Sequence, residues 1–522
     1  MPIKALIGAI ERRPNTAFGA FAVLHFLVWS ALPALFYLNL PLDLIEALTY
    51  GPEWQLGYDK LPPLPWWLVE IAHRLFDSDY FYYALGQLAA LSALWAVFAL
   101  TRPLAGALGA LIAVLIVDGL HYLHYTAAKF NHDVIELPFW ALAGLAFRSA
   151  LRERALHHWV LLGLAIGMAL WAKYFVIVLA VPLALFVLLD RDARPALRTP
   201  GPWVAGAVAF LVAAPHLVWL LANDFLPFAY AQTRAAPPRS LFDHIIRPLI
   251  FGGSQLLFLM PALVIAAPLL LSRHNTSPSK ADCFDRRIVR LLAFGPAATT
   301  LAGSLLTGRT MVAMWGYPLW LFLGSWIVVC IGTPVEIAQT RRIAGLWVAT
   351  FSGFAMAFIV NYSALPHYDH RYRAVFFPGQ RLAAELSRRF KAATGQPLSY
   401  VVAGVWTGGN VFHYAAEHPH VLIDAKPTRA PWIDLDDLKT KGAVVVWTGG
   451  DSANVATYAV TTPGAQLQAP FTLEDLKGVR VLHFGWAIIR PQPRRTSVER
   501  PDDLGNLVED FTDLAFTDDQ GW

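Results

Sequence analysis

Two carboxylates a helical turn apart, Asp43 and Glu46, stand where the chain leaves its first long apolar run. At positions i and i+3 of a helix they share a face. A carboxylate held at a membrane surface, in low dielectric, is suited to take a proton from an attacking hydroxyl. The blander reading is a solvated loop lying on the bilayer. Against it stand a lone Lys60, a Pro62-Pro63 pair that turns the chain back, and Trp54, Trp66 and Trp67, a residue type that favours the membrane interface. Farther on, "AAKFNHDVIELPFWAL" places Asp133 at the head of another apolar run. An acid there suits the helix dipole, so an N-cap is its bland reading; His132 and Asn131 beside it leave room for a polar site.

Cations complete the inventory. Lys129, Lys173, Arg234, Arg239, Arg247 and Arg309 fall at the outer ends of different apolar runs, where basic residues are the exception. Together they suit the grip of an anionic lipid headgroup such as a phosphate; singly, each could be an interfacial snorkel. Lys173 stands out, because a basic residue at a tight turn between two apolar helices is costly without a partner. His216 with Asp224, and Arg309 ahead of an aromatic-rich run, read equally as interface anchors. Clustered carboxylates near His132 leave room for a divalent cation, although no spacing defines one. No phosphate-binding loop, dinucleotide fingerprint or zinc-protease motif occurs. That argues against a nucleotide-driven pump and against a nucleotide-sugar donor, and no nucleic-acid partner is expected.

The elements that must position these residues are membrane helices. Of 522 residues, 56% are hydrophobic and 15% charged, whereas a soluble domain carries roughly a quarter charged residues. Apolar runs of membrane-crossing length predict about eleven spans, near 17–38, 81–100, 103–119, 134–150, 159–173, 175–189, 203–222, 249–271, 288–306, 317–332 and 343–361. The 159–189 stretch could instead be one long helix, but arginines on both flanks favour two short ones meeting at "WAKYF". Alternate loops hold the arginines and lysines, from Arg12 and Arg13 through Arg152 and Arg154, Arg191 and Arg194, and Arg286 and Arg287 to Arg341 and Arg342. This positive-inside pattern sets residues 1–16 in the cytoplasm, a transmembrane domain at 17–361 with a first periplasmic loop at 39–80, and residues 362–522 outside. The first run lacks a small-residue cleavage site and reads as a retained helix. Cys283 and Cys330 have no disulfide or zinc spacing. Beyond residue 375, "LSYVVAG", "HVLIDA", "AVVVWTG" and "VRVLHFGWAII" alternate with helical patterns, which predicts an α/β domain ending in an acidic tail.

On these residues the chain resembles the GT-C membrane glycosyltransferases that use polyprenyl-phosphate sugars, in the branch of protein-mannosyltransferase-like enzymes that holds the lipid A aminoarabinose and rhizobial galacturonosyl transferases. The resemblance covers about residues 17–361. It rests on Asp43 in the acidic position of the first outer loop, then Gly57-Tyr58 and Pro62-Pro63-Leu64 in step, Asp133 before Phe139 and Trp140, and Lys173 at an outer turn. The chain departs from the pattern at Leu44, where the family often has Glu, so that Glu46 is the nearest replacement. It departs again at Leu61, where a basic residue is usual and Lys60 stands one place earlier.

The resemblance implies a GT-C fold and an inverting transfer from an undecaprenyl-phosphate-type sugar to a lipid or glycan acceptor on the periplasmic side of a bacterial inner membrane. Asp43 is then expected as general base, or as the group that orients an acceptor already ionised, with Glu46 and Asp133 orienting the acceptor or binding a cation. Lys60, Lys173 and Arg309 would hold the donor phosphate, and Tyr58, His132 and Arg234 would line the substrate site. The alternatives are a transporter or flippase for a lipid-linked or anionic solute, which would want charges inside the spans, and a non-catalytic assembly protein indifferent to the loss of Asp43.

Overall fold

The computed structural model describes residues 3–76, 78–271, 276–334, 336–449 and 464–492. In chain order the helices are α1 (Ile3–Arg12), α2 (Pro14–Phe36), α3 (Leu42–Tyr50), α4 (Leu64–Leu75), α5 (Tyr80–Val117), α6 (His132–Glu153), α7 (Leu156–Ala172), α8 (Ile177–Leu189) and α9 (Gly201–Ala222). There follow α10 (Leu226–Arg234), α11 (Asp243–Leu271), α12 (Cys283–Thr307), α13 (Leu323–Ile331), α14 (Ile337–Ser363), α15 (Pro366–Asp369), α16 (Gly379–Thr394), α17 (Val405–Tyr414) and α18 (Leu435–Lys441). The chain divides into two compact units: Met1–Phe36 with Trp54–Ala364, and Tyr37–Glu53 with the residues from Leu365 onward. The short segment carrying Asp43 and Glu46 therefore groups with the C-terminal unit.

The first unit is a membrane bundle. Among the described residues seven helices of this unit, α2, α5, α6, α9, α11, α12 and α14, are long and apolar enough to cross a bilayer, so the chain is a multi-pass membrane protein. The expected count of eleven is not reached by helices of that length. Residues 81–100 and 103–119 fall within α5, which is two helices run together across a non-helical break at Gly106, where φ is +74°. A side chain at that φ would be strained, so glycine permits the break. The run at 317–332 forms only the nine-residue α13, about 14 Å long against a hydrocarbon core of about 30 Å. The paired short helices were foreseen: α7 has 17 residues and α8 has 13, and they meet at Lys173.

Packing in this unit relies on small residues, as it must where lipid removes the hydrophobic incentive to associate. Gly163 and Gly167 on α7 face α9. A Cβ on Gly163 would lie 2.4 Å from the Ala205 carbonyl oxygen, and one on Gly167 would lie 2.7 Å from the Val212 Cβ. The two helices thus touch backbone to side chain, which fixes the end of α7 against α9. Deeper in the bundle, fully buried Asp118 sits 2.9 Å from His25 Nδ1 on α2 and accepts from Trp347 Nε1 on α14 at 2.7 Å. Two-residue strands β1 (Thr276–Ser277) and β2 (Thr333–Pro334) pair antiparallel across the unit.

The second unit is α/β. Strands β3 (Tyr400–Ala403), β4 (His420–Ile423), β5 (Ala443–Thr448), β6 (Ala465–Leu467), β7 (Phe471–Glu474) and β8 (Val481–Ile489) form one sheet in the order β4-β3-β5-β8-β6, with β7 also on β8. The β3 pairings are parallel and those of β8 antiparallel. Every residue of β3 is buried, as in a sheet covered on both faces. All four strands expected from the sequence are present; β6 and β7 were too short and mixed in polarity to be seen. The acidic tail lies outside the described residues.

Helix α3 packs on α17 through Gly409, where a Cβ would come within 2.3 Å of Thr49 Oγ1 and 2.8 Å of Ile45 Cγ2. Gly409→Val should therefore destabilise this unit by about 1–3 kcal/mol, the usual cost of overpacking, and expose residues 37–53 to limited proteolysis. On α16, Glu385 accepts from Arg388 and Arg389 at 2.7 Å each. These bonds hold its carboxyl down to about 2. A depressed carboxyl contributes stability that is complete above the ordinary glutamate range and is lost as the pH falls through about 2. Glu385→Gln should lower the melting temperature at pH 7, with the difference from the parent narrowing steadily from pH 4.5 towards pH 2.

Candidate active site

At the head of α6 the chain turns sharply. Phe130 takes φ +50°, and the N-cap is Asn131, whose side chain accepts from Val134 N at 3.0 Å. Asp133, which reads as a cap in the sequence, is instead in the first turn and free of that duty. His132 Nε2 lies 3.1 Å from the Pro62 carbonyl oxygen. A carbonyl only accepts, so Nε2 carries the proton. The Trp66 ring stands edge-on to His132 at 4.8 Å, and Tyr58 edge-on to Trp66 at 4.7 Å. The Tyr58 hydroxyl accepts from Gln55 N at 3.1 Å. The Gly57–Leu64 motif is thereby locked onto the start of α6. Gly57 itself is required, since a Cβ there would fall 2.1 Å from the Trp219 ring.

Asp133 and Lys173 form an ion pair, and each residue is only 7% exposed. Lys173 ends α7 in an extended conformation that breaks the helix before the next turn, and its ammonium also lies 5.9 Å from the centre of the Trp315 ring. Two residues given different roles from the sequence are thus each other's partners. One turn below Asp133, Glu136 is fully buried, and among the described residues neither of its carboxyl oxygens has a hydrogen-bond partner. Lys173 and Asp133 both lie within its electrostatic reach. One ammonium and two carboxylates in a dry site leave a charge imbalance that favours further cationic or protonic compensation. Sequence reading passed over Glu136 as part of an apolar run. Its signal was there: Asp133 and Glu136 repeat the i, i+3 spacing of Asp43 and Glu46.

The remaining expected residues scatter. Lys60 is half-buried, with its ammonium 5.5 Å from the centre of the Tyr230 ring on α10. Arg234 is exposed in the last turn of α10. Arg309 donates from Nη1 to the Ala235 carbonyl at 2.9 Å, so it staples the segment before α13 to the end of α10. Asp43, half-buried, and Glu46, 7% exposed, sit on α3 in the other unit. Tyr230 and Trp315, which face the two lysines, gave no sequence signal beyond being aromatic. Among the described residues no three His, Cys, Asp or Glu side chains gather as a metal site, so the divalent cation considered from the sequence has no donor set there.

Removing one partner of a buried ion pair leaves an uncompensated charge and costs about 3–5 kcal/mol, whereas replacing both with apolar groups of like size is close to neutral. Lys173→Met and Asp133→Leu should each lower the thermal stability of the purified protein. The double variant should recover most of the loss.

Residues 60–219, which include Lys60, His132, Asp133, Lys173 and His216, match the family model described as dolichyl-phosphate-mannose-protein mannosyltransferase. Asp43 lies outside that stretch. Over 313 residues, 59% of this chain, the sequence is 25% identical to the lipid A galacturonosyltransferase RgtD of Rhizobium johnstonii, and the match spans 65% of that relative's length. Among solved structures, ArnT from Cupriavidus metallidurans bound to undecaprenyl phosphate superposes with a TM-score of 0.57 at 12% identity, covering 92% of this chain and 99% of the other. Its apo form gives 0.56 at 14% identity, with the same coverage. The chain thus has the GT-C fold of the ArnT structures, with a C-terminal β-sheet unit, and its matched stretch carries the buried Lys173–Asp133 pair.

Proposed function

We propose that the chain is an inner-membrane glycosyltransferase that moves a sugar from a polyprenyl-phosphate carrier to an acceptor at the periplasmic face, lipid A or another envelope glycan or lipid. The observation that carries the reading is the buried Lys173–Asp133 pair beside the locked Gly57–Leu64 motif. It is an ammonium kept dry at the head of membrane helices, in a chain whose sequence relative is named a lipid A galacturonosyltransferase. Such an ammonium strengthens its hold on an arriving phosphate, because low dielectric magnifies the attraction.

In the proposed reaction the acceptor hydroxyl gives its proton to the Asp43 carboxylate and its oxygen attacks the anomeric carbon. The bond from that carbon to the phosphate oxygen breaks, and the electron pair leaves with polyprenyl phosphate. Lys173 and Lys60 pair that growing charge. For Lys173 this means exchanging Asp133 for the phosphate, which frees Asp133 to orient the acceptor. Departure on the face opposite to attack inverts the anomeric centre. A transporter would want charged groups along a solvated path; the polar knot of His25, Asp118 and Trp347 is instead dry and mutually bonded.

The test compares glycolipids, by mass spectrometry, from cells lacking the gene and complemented with the parent protein or with Asp43→Asn at matched membrane levels. One sugar should vanish on deletion and return with the parent but not with Asp43→Asn. Full restoration by Asp43→Asn would sink the base assignment, and an unchanged glycan profile on deletion would favour the transporter. In the same assay the Lys173→Met/Asp133→Leu double variant should stay inactive although it folds. Cysteines placed singly in β4 and β6 should react with an impermeant maleimide from the periplasmic side; labelling only after the inner membrane is broken would reverse the proposed topology.

A further inference from the structure

His216 sits on α9, fully buried, and both of its ring nitrogens are engaged. Nδ1 lies 2.6 Å from the Leu56 carbonyl oxygen, and Nε2 lies 2.9 Å from the Tyr174 hydroxyl. The carbonyl can only accept, so Nδ1 carries the proton. In the neutral ring Nε2 is then an acceptor, and Tyr174 donates to it. The ring plane is held by Trp219, stacked at 6.1 Å and 7°, and by Tyr174 at 5.6 Å and 24°. The two bonds reach two different segments. Leu56 immediately precedes the Gly57-Tyr58 motif and lies four residues before Lys60, and Tyr174 immediately follows Lys173. Helix α9 is itself pinned to α7 by the close approaches at Gly163 and Gly167 and by Trp171 Nε1 donating to the Val212 carbonyl at 2.7 Å.

We propose that His216 is a positioning residue for the carrier phosphate: its imidazole sets the spacing between the segment that bears Lys60 and the turn that bears Lys173. The inference rests on the proposed function, in which those two lysines receive the phosphate. A histidine that merely fills the core would also be buried and bonded. What distinguishes the two is that a spacing role acts on the phosphate and not on the hydrocarbon tail, and that it depends on which of the two bonds survives.

The experiment uses the full chain in detergent and measures binding of undecaprenyl phosphate and of uncharged undecaprenol by native mass spectrometry. In His216→Asn the amide nitrogen takes the place of Nδ1 and keeps the bond to Leu56. In His216→Gln the amide oxygen takes the place of Nε2 and keeps only the bond to Tyr174. Tyr174→Phe removes a single hydroxyl. The expected result is at least tenfold weaker undecaprenyl phosphate binding by His216→Gln, a smaller loss of about threefold by Tyr174→Phe and by His216→Asn, which both give up the Tyr174 bond, and unchanged undecaprenol binding throughout. Parental phosphate binding by His216→Gln, or equal loss of both lipids, would overturn the proposal. Should His216→Gln fail to fold, Tyr174→Phe decides alone: unchanged phosphate binding overturns the spacing role. A parent protein that does not prefer the phosphate to the alcohol would refute the donor reading itself, and this inference with it.

Discussion

A charge in a place without water must have a partner, and the membrane unit is arranged around one such requirement. Lys173 ends a helix inside a bundle that excludes solvent, and Asp133 answers it from the first turn of another. The cost of leaving either alone, about 3–5 kcal/mol, ties the end of α7 to the start of α6. The start of α6 is tied in turn to the proline motif by His132. Much of the local geometry follows from that chain of obligations. Asn131 caps the helix so that Asp133 need not, and the extended backbone at Lys173 turns the ammonium away from its own helix.

The same constraint explains how polar groups survive elsewhere in the bundle. Asp118 is dry, and His25 and Trp347 close around its carboxylate while His124 Nε2 reaches its backbone oxygen at 2.9 Å. His216 uses both nitrogens. Helices that carry such groups must come close enough to satisfy them, and in lipid the close approach is supplied by small residues. Gly163 and Gly167 let α7 meet α9, and Gly144 lies where a Cβ would strike the Phe322 ring at 2.4 Å. Among the described residues Glu136 is one of several buried side chains in the bundle with polar atoms that lack a hydrogen-bond partner, and it lies beside the Lys173–Asp133 pair.

The aromatic residues have a related role. Tyr230 faces Lys60 and Trp315 faces Lys173. A ring face attracts a cation without neutralising it, so Tyr230 and Trp315 add to the hold on the two lysines, while the charge of Lys173 is paired by Asp133.

The sequence by itself determined the membrane class, the paired short helices meeting at Lys173, and the C-terminal strands, because each rests on a local property: run length, the sign of flanking charges, or alternation of apolar residues. It also marked Asp133, Lys173, His132 and the Gly-Tyr and Pro-Pro steps as residues out of keeping with their surroundings. It did not determine who partners whom. Asp133 and Lys173 are 40 residues apart, His132 and Pro62 are 70 apart, and His216 and Leu56 are 160 apart; no periodicity encodes such pairings. The membership of α3 was equally hidden, since its tie to α17 depends on a glycine more than 350 positions away along the chain. The number of spans was not settled by length, because apolar character fixes that a segment is buried but not whether it breaks as at Gly106 or stops short as in α13. Those outcomes are set by what packs against the segment, and only the tertiary structure decides that.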